Sequence, residues 1–380
     1  MQLALTEDQE LIAKTVADFA AEKSPLSRVR ALRDTADPLG FSRPLWEEMA
    51  ELGWVGIPLP EAHGGAGLGL AELAVVLEAL GRTLAPEPFL SSVLLAGQAL
   101  AIAGTEAQQE AWLPGIVAGK KLASLAFQEP SSRYDVHHVT MRAEPQGEGW
   151  RLTGEKIQVL DAGAADLLVV SARTAGSDGD ADGITLFLVP AEAEGVKRIA
   201  QQRVDHRAAS LVRFEGVSVP ADGRLGEVGA AGALLEDVLD RATVGLCAEM
   251  LGAMEQAFEL TLEHLKERKQ FDAPIGSFQA LKHRAADVFM EIELSRSTVM
   301  AAARGVDDGA PDARRLVSLA KARCSEAFIL AANEGVQMFG GVGMTDEYDI
   351  GFYLKRARAA EMTFGDAAFH RARWATLGDY

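Results

Sequence analysis

Chemistry in this chain has to come from a small set of side chains. Arg268, in the run HLKERK, offers a planar head with several donors, suited to a bound anion. Gly340 and Gly341 let the backbone come close to a ligand oxygen where a side chain would intervene. Gln279 and Gln337 can each donate and accept, and Phe271 offers an apolar face to a planar ring. Carboxylates that could move a proton sit in helical patterns: Asp240, Glu249 and Glu361. At about 100° per residue, the nine steps from Asp240 to Glu249 put them on opposite faces of one helix, so one site cannot use both. Each residue also has an ordinary role. A basic run is normally a solvated helix face, paired glycines alone make a turn, and Asp240 alone reads as a surface acid paired with Arg241 or a lysine. Cys247 and Cys324, the two cysteines, lie in helical patterns and are too few for a disulfide framework or a thiolate metal site. Among the seven histidines, His137, His138 and His206 read as exposed loop residues. No pair has metal-ligand spacing with a carboxylate, so no metal is expected.

The elements that position these groups belong to a chain of 380 residues with 37 Lys+Arg against 55 Asp+Glu, a formal net charge of −18. A hydrophobic share of 48% with 24% charged residues is that of a globular protein long enough for two or three domains. The negative charge repels phosphate backbones and anionic headgroups, which argues against nucleic acid or a membrane surface as the main partner. The opening stretch MQLALTEDQELIAKTVADFA carries acids where a signal peptide needs a basic flank. No segment approaches the roughly 20 apolar residues of a membrane span, and the expected location is the cytoplasm.

Residues 1–122 read as a helical domain. Thr6 is a suitable N-cap with Gln9 at the capping-box position, and Leu70, Leu73, Leu77 and Leu80 share one helical face ahead of Gly81. The glycine-rich PLPEAHGGAGLG, residues 58–69, reads as a loop. Over 123–228 the texture changes to short apolar runs separated by turn signals (LASLAF, VTMRAE, WRLTG, DLLVVSA, ITLFLV and VRFEGVSV), which predicts five or six strands in a compact β domain. The helical period returns over 229–380. Leu235, Leu239, Ala242, Leu246, Met250, Met254 and Phe258 mark one side of a long helix, and further segments around 277–304, 311–339 and 348–375 complete a bundle. The fold class is mainly α with a central β domain.

That order of domains, together with the strings LGWVGIPLPEAHGGAGLGL, GWRLTGEKI, ERKQFDAPIGSFQALKHRAADV and QMFGGVGMTDEY, resembles the acyl-CoA dehydrogenase family over nearly the whole chain. The resemblance implies an N-terminal helical domain, a middle β-barrel-like domain and a C-terminal four-helix bundle. It also implies FAD, a coenzyme A thioester substrate, a role in fatty acid or lipid metabolism, and assembly as homodimers or homotetramers. An electron-transfer flavoprotein is the usual electron acceptor. By similarity Arg268, Phe271 and Gln279 reach the cofactor of a neighbouring subunit, Gly340 and Gly341 approach its phosphate or ribityl oxygens, and Gln337 can hydrogen-bond to it.

The chain also departs from the family pattern. Most members carry a catalytic glutamate in a Tyr-Glu-Gly-Thr string, and the matching residues here are Thr363–Phe364–Gly365–Asp366. Phe364 cannot take a proton, although its backbone N–H could still hold the thioester oxygen. A minority branch places its glutamate on the first bundle helix before an arginine; the matching pair is Asp240–Arg241, with Asp240 as base and Arg241 as its electrostatic partner. In the β domain the family's glycine-rich flavin loop appears as Gln128–Glu129–Pro130–Ser131–Ser132–Arg133–Tyr134–Asp135. The residues that stack on flavin and bond near its N5 appear as Gln158 and Leu160. Gln128 and Gln158 can still hydrogen-bond the pyrimidine edge, and Arg133 can replace part of the lost phosphate contacts. The expected activity is dehydrogenation of an acyl-CoA, with α-proton removal by a carboxylate and β-hydride transfer to flavin N5. The alternative is a non-catalytic or half-site subunit of an α2β2 assembly, as in relatives acting on steroid side chains.

Overall fold

The computed structural model describes residues 4–380. Helix α1 (Glu7–Lys23) starts where the sequence places it. Thr6 accepts from the Gln9 N–H while the Gln9 side chain accepts from the Thr6 N–H, so two donors of the first turn are satisfied reciprocally. α2 (Leu26–Asp34) and α3 (Arg43–Glu51) follow, the latter capped by Ser42 with a proline in its first turn. The glycine-rich loop carries one short 3-10 turn, Glu61–His63, before α4 (Leu70–Arg82). A π-helical stretch, Phe89–Gly97, leads into α5 (Gln98–Ala103) and α6 (Glu106–Val117). The strands are β1 (Ala123–Ala126), β2 (Arg142–Gln146), β3 (Gly149–Leu160), β4 (Leu167–Arg173), β5 (Ile184–Pro190), β6 (Val196–Ala200), β7 (Ala209–Val219) and β8 (Arg224–Leu225). Next come α7 (Ala231–Glu267), the hairpin strands β9 (Lys269–Gln270) and β10 (Ala273–Pro274), α8 (Gln279–Asp307), α9 (Ala313–Phe339), α10 (Ile350–Met362) and α11 (Ala367–Thr376). These elements divide between two compact units.

One unit comprises residues 32–68 and 86–242 and holds the sheet, in the order β6-β7-β3-β2-β4-β5-β8 with β1 parallel to β4. β4 is buried along its whole length, as its unbroken apolar run requires. Met141, Leu152, Val170, Phe187, Val212 and Phe214 fill the core against it. The sheet has two more strands than the largest number expected. β6 (VKRIA) carries two adjacent charges that break its alternation, and β8 is only two residues long. β3 runs on through GEKI to Leu160, with a bulge between Lys156 and Val159.

The other unit comprises residues 4–31, 69–85 and 243–380. α4 and α7 cross at backbone contact. A Cβ on Gly252 would stand 1.8 Å from the Glu78 carbonyl oxygen, and one on Gly81 2.2 Å from that of Glu249. Gly69 at the start of α4 has no side chain to cap with; Glu72 accepts from the Gly69 N–H at 3.0 Å, and Asp307 completes the cap, accepting from Leu70 N–H at 2.7 Å and Ala71 N–H at 2.8 Å. The helix expected over 348–375 is in fact two. Phe364 (φ +61°) and Gly365 (φ +115°) turn the chain out of the helical path, and Asp366 caps α11 by accepting from the Phe369 N–H at 2.8 Å. No described helix is long and apolar enough to cross a membrane.

Candidate functional site

At the end of α7 the bundle presents the groups expected to meet a cofactor. His264 stacks on Phe339 at 4.1 Å, with Tyr348 edge-on to both. One turn beyond His264, Arg268 is fixed through its backbone: its N–H donates to His264 O at 2.9 Å and its carbonyl accepts from Ile275 N–H at 2.8 Å. Phe339 precedes Gly340, so the stack brings Arg268 and the Gly340–Gly341 turn to one end of the bundle. Among the described residues the Arg268 guanidinium makes no hydrogen bond or ion pair. Burial and this guanidinium together push the His264 imidazole below its ordinary pKa. Gly340 closes α9 at φ +69°, ψ −145°, a conformation that only glycine takes without strain. A Cβ on Gly340 or Gly341 would meet nothing within 4 Å, so this backbone stays open to a ligand. Phe271, at the tip of the β9–β10 hairpin with φ +54°, is 89% exposed, its ring supported edge-on by Phe278. Gln279 and Gln337 are exposed at the start of α8 and the end of α9. An unneutralised guanidinium, an open glycine turn and a bare aromatic ring fit a dinucleotide bearing a pyrophosphate and flat rings.

In the sheet unit the loop replacing the family's glycine-rich string is built around a buried ion pair that sequence reasoning did not single out. Lys156, fully buried on β3, donates to Glu129 Oε1 at 2.7 Å, Ser171 Oγ at 3.0 Å and the Phe127 carbonyl at 3.3 Å. Glu129 also accepts from the N–H groups of Thr140 and Met141 and the Thr140 hydroxyl. Burial pulls the Lys156 ammonium down to about 8 despite its partner. Burial raises the Glu129 carboxyl, but the Lys156 charge and the bonds from Lys156 and Thr140 outweigh it and hold it below the usual carboxylate range. The two expected glutamines differ from the sequence picture. The Gln128 amide donates one N–H to the Arg133 carbonyl at 3.0 Å, which leaves its oxygen and one N–H for a flavin edge. Gln158 sits in the β3 bulge at φ +52°, its own N–H donating to Gln201 and its side chain exposed. Arg133 is exposed at φ +49°. His137 is a loop residue as expected but half-buried rather than exposed, its Nε2 3.7 Å from Glu236. A second missed feature is Asp161, to which Ser91 donates at 2.5 Å; burial raises this carboxyl to about 6, against the pull of Arg207 and Arg203.

The acid candidates also separate. Asp240 is 5% exposed, which removes the solvated surface acid as an account of it. Arg241, expected as Asp240's partner, instead directs its Nε to Asp237, one turn earlier, at 3.1 Å. The i,i+4 spacing presents Asp237 on the arginine's own face, whereas adjacent residues diverge by about 100°. Glu249 is buried and bound to Arg356 Nε at 2.8 Å, a structural ion pair. Glu361 lies 3.4 Å from Arg358.

The turn after α10 is held from below. Lys321, fully buried on α9, donates to Ser325 Oγ at 3.0 Å, Glu361 O at 3.0 Å and Gly365 O at 2.7 Å. Burial lowers this ammonium to about 8, opposed by Cys247, Cys324, Glu361 and Asp366. His370 Nε2 is 3.1 Å from the Phe364 carbonyl. Burial and the Lys321 charge push this imidazole down to about 3, so it is neutral and the carbonyl fixes the proton on Nε2. Among the described residues, none accepts from the Phe364 N–H. Cys247 and Cys324 are buried and free, and no group of His, Cys, Asp and Glu among the described residues could hold a metal.

Comparison with known proteins agrees with this architecture. The acyl-CoA dehydrogenase N-terminal domain matches residues 6–120, the middle domain 124–217 and the C-terminal domain 232–376. The acyl-CoA dehydrogenase FadE12 of Mycobacterium tuberculosis is 30% identical over 94% of this chain and 92% of its own length. Butyryl-CoA dehydrogenase from Megasphaera elsdenii superposes with a TM-score of 0.93 at 28% identity, covering 100% of both chains. A chain of the ChsE4–ChsE5 complex from M. tuberculosis superposes at 0.90 with 30% identity, covering 100% of this chain and 99% of that one. The chain belongs to the acyl-CoA dehydrogenase family, FAD-dependent oxidoreductases that dehydrogenate acyl-CoA thioesters.

Proposed function

We propose that Asp240 is the base of this enzyme and that the Phe364 N–H binds the thioester oxygen. The observation that carries the reading is the burial of Asp240 in a chain whose customary catalytic position is a phenylalanine. Polarisation of the carbonyl by an amide donor acidifies the α carbon, and the Asp240 carboxylate takes that proton. FAD, when held, would supply the two-electron sink for the β hydride. The α proton and β hydride leave together as an α,β double bond forms, which balances the two-electron oxidation. Aspartate is one methylene shorter than the glutamate of the minority branch, so the main chain must deliver it closer to the substrate. Arg268, Phe271, Gln279, Gln337, Gly340 and Gly341 would hold the cofactor, the first three across a subunit boundary. An electron-transfer flavoprotein is the proposed acceptor of the electrons.

Asp240→Asn tests the assignment. The variant should retain FAD, while anaerobic bleaching of its flavin by acyl-CoA thioesters slows by about 10²–10⁴, the usual contribution of a positioned base. Bleaching at the unaltered rate removes Asp240 from the reaction.

A second reading is favoured by one observation: the Gln128 amide is turned onto Arg133, and Gln158 replaces the ring that stacks on flavin. On that reading the chain's own flavin position is weakened, and its bundle lends Arg268 and Phe271 to a different partner chain. The likeness to a chain of the ChsE4–ChsE5 complex supports a heteromeric arrangement.

A further inference from the structure

We propose that Lys321 is a positioning residue for this reaction: with His370 it holds the turn at Phe364 so that the Phe364 N–H is presented to the thioester oxygen. The proposal rests on the acyl-CoA dehydrogenation reading above. An ammonium has three donors, and Lys321 has three acceptors within 3.0 Å. Two of them, the carbonyls of Glu361 and Gly365, lie on either side of Phe364 in the chain, and the carbonyl of Phe364 itself is taken by His370. Every carbonyl anchor of the turn therefore points inward to α9 or α11. Among the described residues nothing accepts from the Phe364 N–H, nor from the Gly365 N–H next to it, so the donor side of the turn stays open while its carbonyls are held.

The backbone conformation points the same way. Phe364 has no glycine's freedom and no side-chain hydrogen bond to favour φ +61°, so the surroundings must impose it. A fully buried lysine is a costly way to join two helices that apolar contacts already pack, as Val317, Ala320 and Phe328 on α9 show. What it does that an apolar residue cannot is fix two main-chain oxygens at a defined spacing. An oxyanion donor needs that kind of support, because its value depends on where it stands before the substrate arrives.

The test uses the FAD-loaded protein and Lys321→Met. Amide hydrogen exchange at residues 364–366 is compared with exchange in the middle of α8 and α9. The carbonyl stretch of a bound ¹³C-labelled enoyl-CoA is then recorded, the enoyl-CoA being the product of whichever acyl-CoA bleaches the unaltered enzyme. The expected result is exchange at the turn faster by about tenfold or more with α8 and α9 unchanged. The carbonyl stretch should return toward its value in water, and kcat should fall about 10–100-fold with KM changed less than about threefold. Flavin content stays as in the parent. A turn that exchanges at the parental rate, or a carbonyl stretch that does not move, overturns the proposal. If Lys321→Met does not fold, Lys321→Leu, which also removes all three donors, is read in the same way. A loosened turn in a protein whose parent bleaches with no acyl-CoA overturns the dehydrogenation reading and the positioning role with it. Bleaching by the parent with an unaltered turn in the variant overturns the role of Lys321 alone.

Discussion

Lys156 and Lys321 are both fully buried with their ammonium groups drawn down to about 8. In the unfolded chain each returns to about 10.4. Between those values the unfolded state binds more protons than the folded one, so stability rises with pH across that window. The slope from each lysine is at most about 1.4 kcal/mol per pH unit, since one proton is at stake. Denaturant midpoints taken from pH 8 to pH 10 should therefore climb before alkaline damage sets in. Lys156→Met should flatten the climb even though it strands Glu129, whose carboxyl is then left buried with only its Thr140 and Met141 donors. A midpoint that falls steadily over that interval contradicts the burial of both lysines.

Where two helices meet, the determining feature is absence of a side chain. Gly252→Ala must force α7 and α4 apart, because the new methyl would stand 1.8 Å from a main-chain oxygen that has no rotamer to change. A loss of about 1–3 kcal/mol or more is expected, read as a lowered thermal midpoint. Gly341→Ala meets nothing within 4 Å and should leave that midpoint unchanged while weakening FAD retention. The contrast separates packing glycines from cofactor glycines, which one sequence shows identically. Helix starts were legible because capping is local chemistry: Thr6 and Gln9 are three residues apart and satisfy each other. The break between α10 and α11 was not, since the apolar period continues through 348–375 and the turn is held by Lys321 from α9 together with His370 on α11 itself. The ion pair of Lys156 with Glu129 was hidden for the same reason, its partners lying 27 residues apart. Among the candidate residues, Asp240 and Phe364 were visible because family spacing marks them. The true direction of Arg241 was not, because helix geometry favours Asp237 over a neighbour in sequence.

At the level of the assembled protein, whose net charge is −18, the exposed basic run with Lys266, Arg268 and Lys269 is a local patch of positive charge, Arg268 standing three residues before an 89% exposed phenylalanine. Groups of this kind on a single chain suit a cofactor shared with a neighbour. The chain purified without any second dehydrogenase subunit should therefore be yellow, oligomeric and close to one FAD per protomer if it serves itself. Colourless protein that takes up flavin only when mixed with a different dehydrogenase chain would establish the heteromeric arrangement instead. Absorbance at the flavin band against protein concentration decides between them.

The left-handed turn at Phe364 has a consequence for substitution at that position. Its conformation is borne by anchors on α9 and α11 and owes nothing to the aromatic ring. An unbranched acid at the same address would keep the same main-chain anchors, so a carboxylate could stand there without remodelling the scaffold. On the proposed reading, the frame that aims the substrate is kept apart from the group that reacts with it, so the side chain at 364 can vary without disturbing that frame.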